Sequence, residues 1–241
     1  MSGFAERRLA ELVAALVLAG LVLSILAVIA NGFDGRLAEW AAGLPAGARA
    51  WGTMMSRLGE SGYLFALSAT IAIGSILARA RAHRERVLLA LECCTERATY
   101  VFAALAFTGA ATQVVKQAVG RGRPPLFDEV GAFSLSPFSL TNAYASFPSG
   151  HSSTSFAAAT ALTLIAPRIG PPIFILAAAI ATSRVVVQAH YGSDVVAGSA
   201  FGVVCAVLTT RLFARFGIAF ARREGRLALK DPGAVAAGLR G

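Results

Sequence analysis

Three short clusters concentrate ionisable side chains where an apolar chain should exclude them. The first is Lys116, then six residues, then Arg123-Pro124; the second is Pro148-Ser149-Gly150-His151; the third is Ser183-Arg184, five residues, His190, three residues, Asp194. Singly each is weak: a lysine or arginine at a span end often snorkels, and a lone histidine near an interface is commonly a structural residue. Together the three cations share one obvious partner, a phosphate. An arginine fork offers paired hydrogen bonds to phosphate oxygens and a lysine adds a mobile point charge. Ser149-Gly150 reads as a helix start, where free backbone N–H groups and the positive end of the helix dipole meet an anion, and a glycine admits close approach. His190 and Asp194 are four apart, so one helical turn brings carboxylate and imidazole together, fixing the tautomer and stabilising an imidazolium. The chemistry these residues suit is the handling of a phosphate, and His151 adds a second histidine to the set.

Arg184 and His190 are six apart, which at about 100° per residue puts them on different faces of one continuous helix. Both can serve one site only if the helix breaks between them or just after, and Tyr191-Gly192 is the expected place. Arg184 also lies about a turn and a half inside an apolar span, where it needs an anion or a polar cavity.

The elements that must position these clusters are membrane helices. The 241 residues are 56% hydrophobic and 15% charged, with a mean hydropathy of +0.65, too apolar for an ordinary water-soluble surface. Apolar runs long enough for roughly 30 Å of hydrocarbon predict six spans, about 9–30, 61–78, 98–117, 152–166, 172–189 and 195–213. The fold class expected is all-α and polytopic, one domain over residues 1–241, with the clusters confined to 116–194 and a cytoplasmic tail from about 215 to 241. The run after Arg7-Arg8 exceeds a signal-peptide core and reads as an uncleaved anchor. Gly198 and Gly202 in the last span permit close helix packing.

The net charge of +9 does not indicate nucleic acid, because the basic residues form no stripe with interleaved aromatics. They sort by membrane side instead. With the N-terminus inside, 15 of the 22 Lys and Arg residues face inward, as the positive-inside bias requires, and the three clusters then share the outer face. Both termini are expected in the cytoplasm. Cys93, Cys94 and Cys205 form no disulfide framework. Segment 31–60, with Trp40 and Trp51, suits an amphipathic stretch in the outer interface, and the Arg-rich 79–97 segment an extension of its neighbouring helices. The 118–150 loop is rich in phenylalanine, suited to covering a site at the membrane surface.

Position for position, these clusters resemble the three-part signature of the type 2 phosphatidic acid phosphatase (PAP2) superfamily, in its membrane branch. The resemblance implies a metal-independent lipid phosphatase acting through a phosphohistidine. His190 would attack phosphorus, Asp194 orient it and His151 protonate the leaving oxygen. Lys116, Arg123 and Arg184 would hold the phosphoryl oxygens, assisted by Ser149 and the Gly150 N–H. It implies no cofactor, a membrane lipid phosphate and the bilayer as partners, and residence in a bacterial inner membrane with the site facing the periplasm. Phosphatidate, phosphatidylglycerophosphate, undecaprenyl diphosphate and lipid A phosphates all remain open as substrates, with a slight preference for a carrier diphosphate or lipid A.

Rival readings are weaker. A metal hydrolase using His151, His190 and Asp194 would set a divalent ion against three cations. A serine hydrolase at Ser149 lacks the Gly-x-Ser-x-Gly elbow. Vanadium haloperoxidases resemble these residues but are soluble. A lipid-phosphate transporter or flippase would need the cations but neither a nucleophile nor an acid.

Overall fold

The computed structural model describes residues 30–223 and 226–230. After a π-helical turn, Ala30–Asp34, come helices α1 (Gly35–Ala42), α2 (Ala46–Leu58), α3 (Ser61–Arg79), α4 (Glu85–Val119), α5 (Gly150–Ile165), α6 (Gly170–Val186) and α7 (Gly192–Arg215). A hairpin of β1 (Phe220–Arg223) and β2 (Arg226–Leu229) follows, antiparallel with Phe220 opposite Leu229.

Four stretches among the described residues are long and apolar enough to cross a membrane: Ala46–Arg79, Glu85–Val119, Pro167–Val186 and Gly192–Arg215. The expected first span lies, but for Ala30, outside the described residues. The expected fourth corresponds to α5, only 16 residues, or about 24 Å at 1.5 Å per residue. It is the central helix, packed against α4, α6 and α7. The outward faces of the others carry Leu67, Ile71, Ile76, Val114, Ile175, Val204 and Leu212 in exposed positions, the surface that lipid would cover.

Small residues let the central helices approach. A Cβ on Gly198 would lie 2.5 Å from the Ser149 carbonyl oxygen, and one on Gly202 would strike the Ser153 carbonyl, so α7 rests on the backbone of α5. Toward the far end of the bundle, Tyr100, Val101, Leu105, Ala158, Ala161 and Ala214 pack with Phe220 of the hairpin. Tyr100 shares a 2.8 Å hydrogen bond with Thr210 Oγ1.

The all-α expectation needs one correction, because the segment beyond 215 carries the hairpin. It is tied to α4 by Glu96, whose carboxylate accepts from Ala219 N and Lys230 Nζ, each at 2.9 Å. Four-residue strands of mixed composition (Phe-Ala-Arg-Arg and Arg-Leu-Ala-Leu) carry too little alternation to announce themselves.

Candidate active site

The ends of four helices converge to form the site. Gly120, at φ +58°, closes α4 in the left-handed conformation that glycine adopts most readily, with its N–H on the Lys116 carbonyl at 2.9 Å. The loop that follows folds back: Ser136 N donates to Gly120 O at 2.7 Å and Arg123 N to Ala143 O at 2.9 Å. Thus Lys116, in the last turn of α4, and Arg123 come beside the start of α5. Lys116 Nζ donates to the carbonyls of Ala145 at 2.7 Å and Pro148 at 3.0 Å, which aims a buried ammonium at the α5 N-terminus.

α6 ends at Val186 and α7 begins at Gly192. Between them Gln188 takes φ +54°, and the Arg184 carbonyl accepts from both Ala189 N at 3.0 Å and His190 N at 3.2 Å. This compact reversal brings Arg184 and His190 to one side, as their spacing demands. The break comes a few residues before the Tyr191-Gly192 position expected from sequence.

A cavity of about 400 Å³ is lined by Lys116, Arg123, Gly150, His151, Arg184 and His190, with Thr112, Gln113 and Thr154 beside them. Arg184 Nη1 contacts Ser56 Oγ of α2. The Nε atoms of Arg123 and Arg184 are buried with no partner in the protein, so donors stand ready for an anion. Burial holds Arg123 below its ordinary pKa, with Asp194 partly opposing the shift. At the junction of α2 and α3, a Cβ on Gly59 would strike Ile180 and lie 3.1 Å from His151 Cδ2, so that glycine lets the chain close against the histidine.

His190 is 3% exposed. Burial pushes its pKa down to about 4; Asp194 opposes the shift, and Lys116 and Arg123 reinforce it. The imidazole is therefore neutral near pH 7, with a free lone pair. Its Nδ1 points at Asp194 Oδ2, 3.8 Å away, too far for a hydrogen bond, and makes no other.

Asp194 sits behind the histidine rather than in the cavity. Its Oδ2 accepts from Ser146 Oγ at 2.6 Å and Tyr191 N at 2.9 Å, and its Oδ1 from Arg121 Nη1 at 2.7 Å. Ser149 is likewise withdrawn. It is fully buried, its N–H donates to the Asp194 carbonyl at 3.0 Å, and its hydroxyl accepts from Ser152 N at 3.4 Å as the cap of α5. Six of the eight residues singled out from sequence therefore line the cavity, while Asp194 and Ser149 brace it from behind.

Sequence reasoning missed Arg121 as the centre of that bracing. It also donates to Ser193 Oγ at 2.7 Å, Asp34 Oδ2 at 2.9 Å and the Ala132 carbonyl at 2.9 Å. Its guanidinium lies 4.4 Å from the Tyr191 ring centroid. Burial works against its charge, but Asp194 and Asp34 outweigh burial and hold its pKa above the usual value. The available signal was the run Gly120-Arg121-Gly122-Arg123, which does not say which arginine turns inward.

The sequence model of the PAP2 superfamily matches residues 97–218. A lipid A 1-phosphatase of Rhizobium etli is 35% identical over 181 residues, covering 73% of this chain and 76% of that protein. Another, from Rhizobium johnstonii, is 44% identical over 121 residues, half the length of each chain. The fold resembles the crystal structure of the first transmembrane PAP2-type phosphatidylglycerolphosphate phosphatase from Bacillus subtilis (TM-score 0.57, 19% identity, 83% of this chain and 96% of that one). It also resembles Aquifex aeolicus LpxE (TM-score 0.51, 19% identity, 78% and 94%). The chain therefore belongs to the PAP2 superfamily of phosphatases, among its membrane-embedded members.

Proposed function

We propose that this protein removes a phosphate from a bacterial envelope lipid, with the 1-phosphate of lipid A as substrate, through a phosphohistidine at His190. One observation carries the reading: a cavity holding three cations and two histidines shares Gly59, Ser61 and Thr154 with an apolar groove of about 340 Å³ between α3, α5 and α6. Leu64, Leu162, Ile173, Leu176 and Ile180 line that groove. A headgroup phosphate among the cations and an acyl chain along the groove satisfy both surfaces. The choice of lipid A draws on the two rhizobial relatives.

In the proposed reaction, Lys116, Arg123, Arg184 and the N–H groups at Gly150 hold the nonbridging oxygens as negative charge shifts among them. Because Nδ1 faces Asp194, Nε2 of His190 attacks phosphorus as the bond to the lipid oxygen breaks. The His190–Asp194 contact tightens as the ring becomes cationic. The negative charge of the bound phosphate favours a protonated His151, which gives its proton to the leaving oxygen and then, neutral, takes one from the water that attacks the phosphohistidine. Phosphate departs and both histidines return to their starting states.

The substrate is tested by phosphate release from purified protein in EDTA, supplied in turn with lipid A, phosphatidate, phosphatidylglycerophosphate and undecaprenyl diphosphate. Lipid A is expected to lead by at least about tenfold in kcat/KM, and mass spectrometry should show loss of the 1-phosphate. A faster rate on any other lipid, or loss of lipid A's other phosphate, contradicts the assignment.

We place the cavity on the outer face of the inner membrane, from the 15-to-7 division of basic residues. A reporter inserted near Phe133 should register the periplasm, and one fused after Lys230 the cytoplasm. The reverse pattern would put the site inside and remove the outer leaflet as the source of substrate.

A further inference from the structure

Asp34 lies outside the cavity and outside the three clusters, yet it is a fully buried acid. Its Oδ1 accepts from Ser193 N at 2.9 Å, and its Oδ2 from Arg121 Nη2 at 2.9 Å and from Ser193 Oγ. The opposite nitrogen of the same guanidinium, Nη1, is 2.7 Å from Asp194 Oδ1. Arg121 is thus clamped between two carboxylates in a site where Arg121 is 4% and His190 3% exposed.

The charge count gives this clamp its meaning. A carboxylate fully paired with a guanidinium is a weak partner for an imidazolium, because the guanidinium's repulsion offsets much of the carboxylate's attraction. Arg121 and Asp194 alone would present His190 with no net charge. Asp34 brings the buried triplet to a net charge of −1. The other charged or titratable groups around the ring are Lys116 on α4, Arg123 on the loop, His151 on α5 and Arg184 on α6. All are cationic or neutral. Tyr191, next in the chain, is neutral, so the acid that faces a ring becoming cationic on bonding to phosphorus is Asp194, the near end of the triplet.

We propose that Asp34 is a positioning residue for phosphoryl transfer: it holds Arg121 behind Asp194 and gives the Asp34–Arg121–Asp194 triplet the negative charge that stabilises His190 as it turns cationic. This rests on His190 being the nucleophile.

Asp34→Asn removes the charge and keeps the shape. It is expected to lower kcat by about tenfold to a hundredfold, the scale seen when an outer partner of a metal-ligating histidine is lost, while KM changes less than about threefold. Phosphoenzyme should still form at His190. The acid limb of the pH–rate profile should move to lower pH, because an imidazolium that loses a nearby negative charge gives up its proton more readily. Using the same substrate for parent and variant cancels the substrate's own ionisation. Asp34→Glu should keep the limb at the parental pH. A loss of activity in Asp34→Asn with an unmoved limb makes Asp34 a clamp of the fold and overturns the proposal.

Should Asp34→Asn not fold, the double variant Asp34→Asn/Arg121→Gln carries the test, since Asp194 alone restores a net charge of −1. Its limb should return to the parental pH despite a lower kcat, and a displaced limb overturns the proposal. Failure of the underlying reading looks different: His190→Ala would still accumulate phosphoenzyme, and the role given to Asp34 would fall with it.

Discussion

Replacing His190 with alanine is expected to lower phosphate release by at least about 10⁴-fold, as loss of a covalent nucleophile does elsewhere, and to abolish the trapped phosphoenzyme with it. The ring is nearly enclosed and its Nδ1 makes no hydrogen bond, so its removal strands no partner and the variant should remain folded in detergent. His151→Ala should behave differently. It removes a proton donor, so the loss should shrink with a substrate such as nitrophenyl phosphate, whose leaving group departs without a proton. Equal losses on both substrates would take His151 out of the acid role. Substantial phosphoenzyme in His190→Ala would take His190 out of the nucleophilic one.

Arg184→Ala is expected to cost about 10³-fold in kcat/KM, or about 4 kcal/mol of transition-state stabilisation, the scale for an arginine that balances phosphoryl charge. The guanidinium lies in the last turn of α6, within an apolar stretch where an unpaired cation costs about 2.5–3.5 kcal/mol by insertion scales. Its protein contacts, Ser56 Oγ on one nitrogen and none on Nε, do not neutralise it. Substrate does, so the variant should fold. It should melt no lower than the parent, because repulsion with Lys116 and Arg123 in the shared cavity falls. Arg184→Lys should recover little activity, since a point charge does not reproduce the planar fork. Vanadate, a stand-in for the five-coordinate phosphorus of the transition state, should raise the melting temperature of the parent and not of Arg184→Ala. If the alanine variant unfolds while its surviving fraction keeps vanadate protection, Arg184 is structural.

The cavity was legible in the sequence because burying a charge is costly. Lys116, Arg123, His151, Arg184 and His190 stand out from an apolar background, and the six-residue step from Arg184 to His190 requires a helix break. Its place was not legible: Gln188 takes a left-handed backbone that no glycine announced. The resemblance implies that Ser149 assists at the phosphate, whereas in the structure its hydroxyl caps α5, and cap and anion ligand look alike in a Pro-Ser-Gly string. Arg121 and Asp34 meet across 87 residues, and no periodicity links a lone acid to one arginine of a loop. Hydropathy measures how apolar a run is and not what covers it. It marks α5 as apolar without showing that this 16-residue helix is packed among α4, α6 and α7.

The central claim is that phosphate passes through His190. Protein mixed with radiolabelled substrate and quenched in alkali, which preserves phosphohistidine, should carry one acid-labile phosphate per chain during turnover, and peptide mapping should place it on His190. Label on Ser149 or His151, or turnover with no labelled protein at any quench time, would contradict the account.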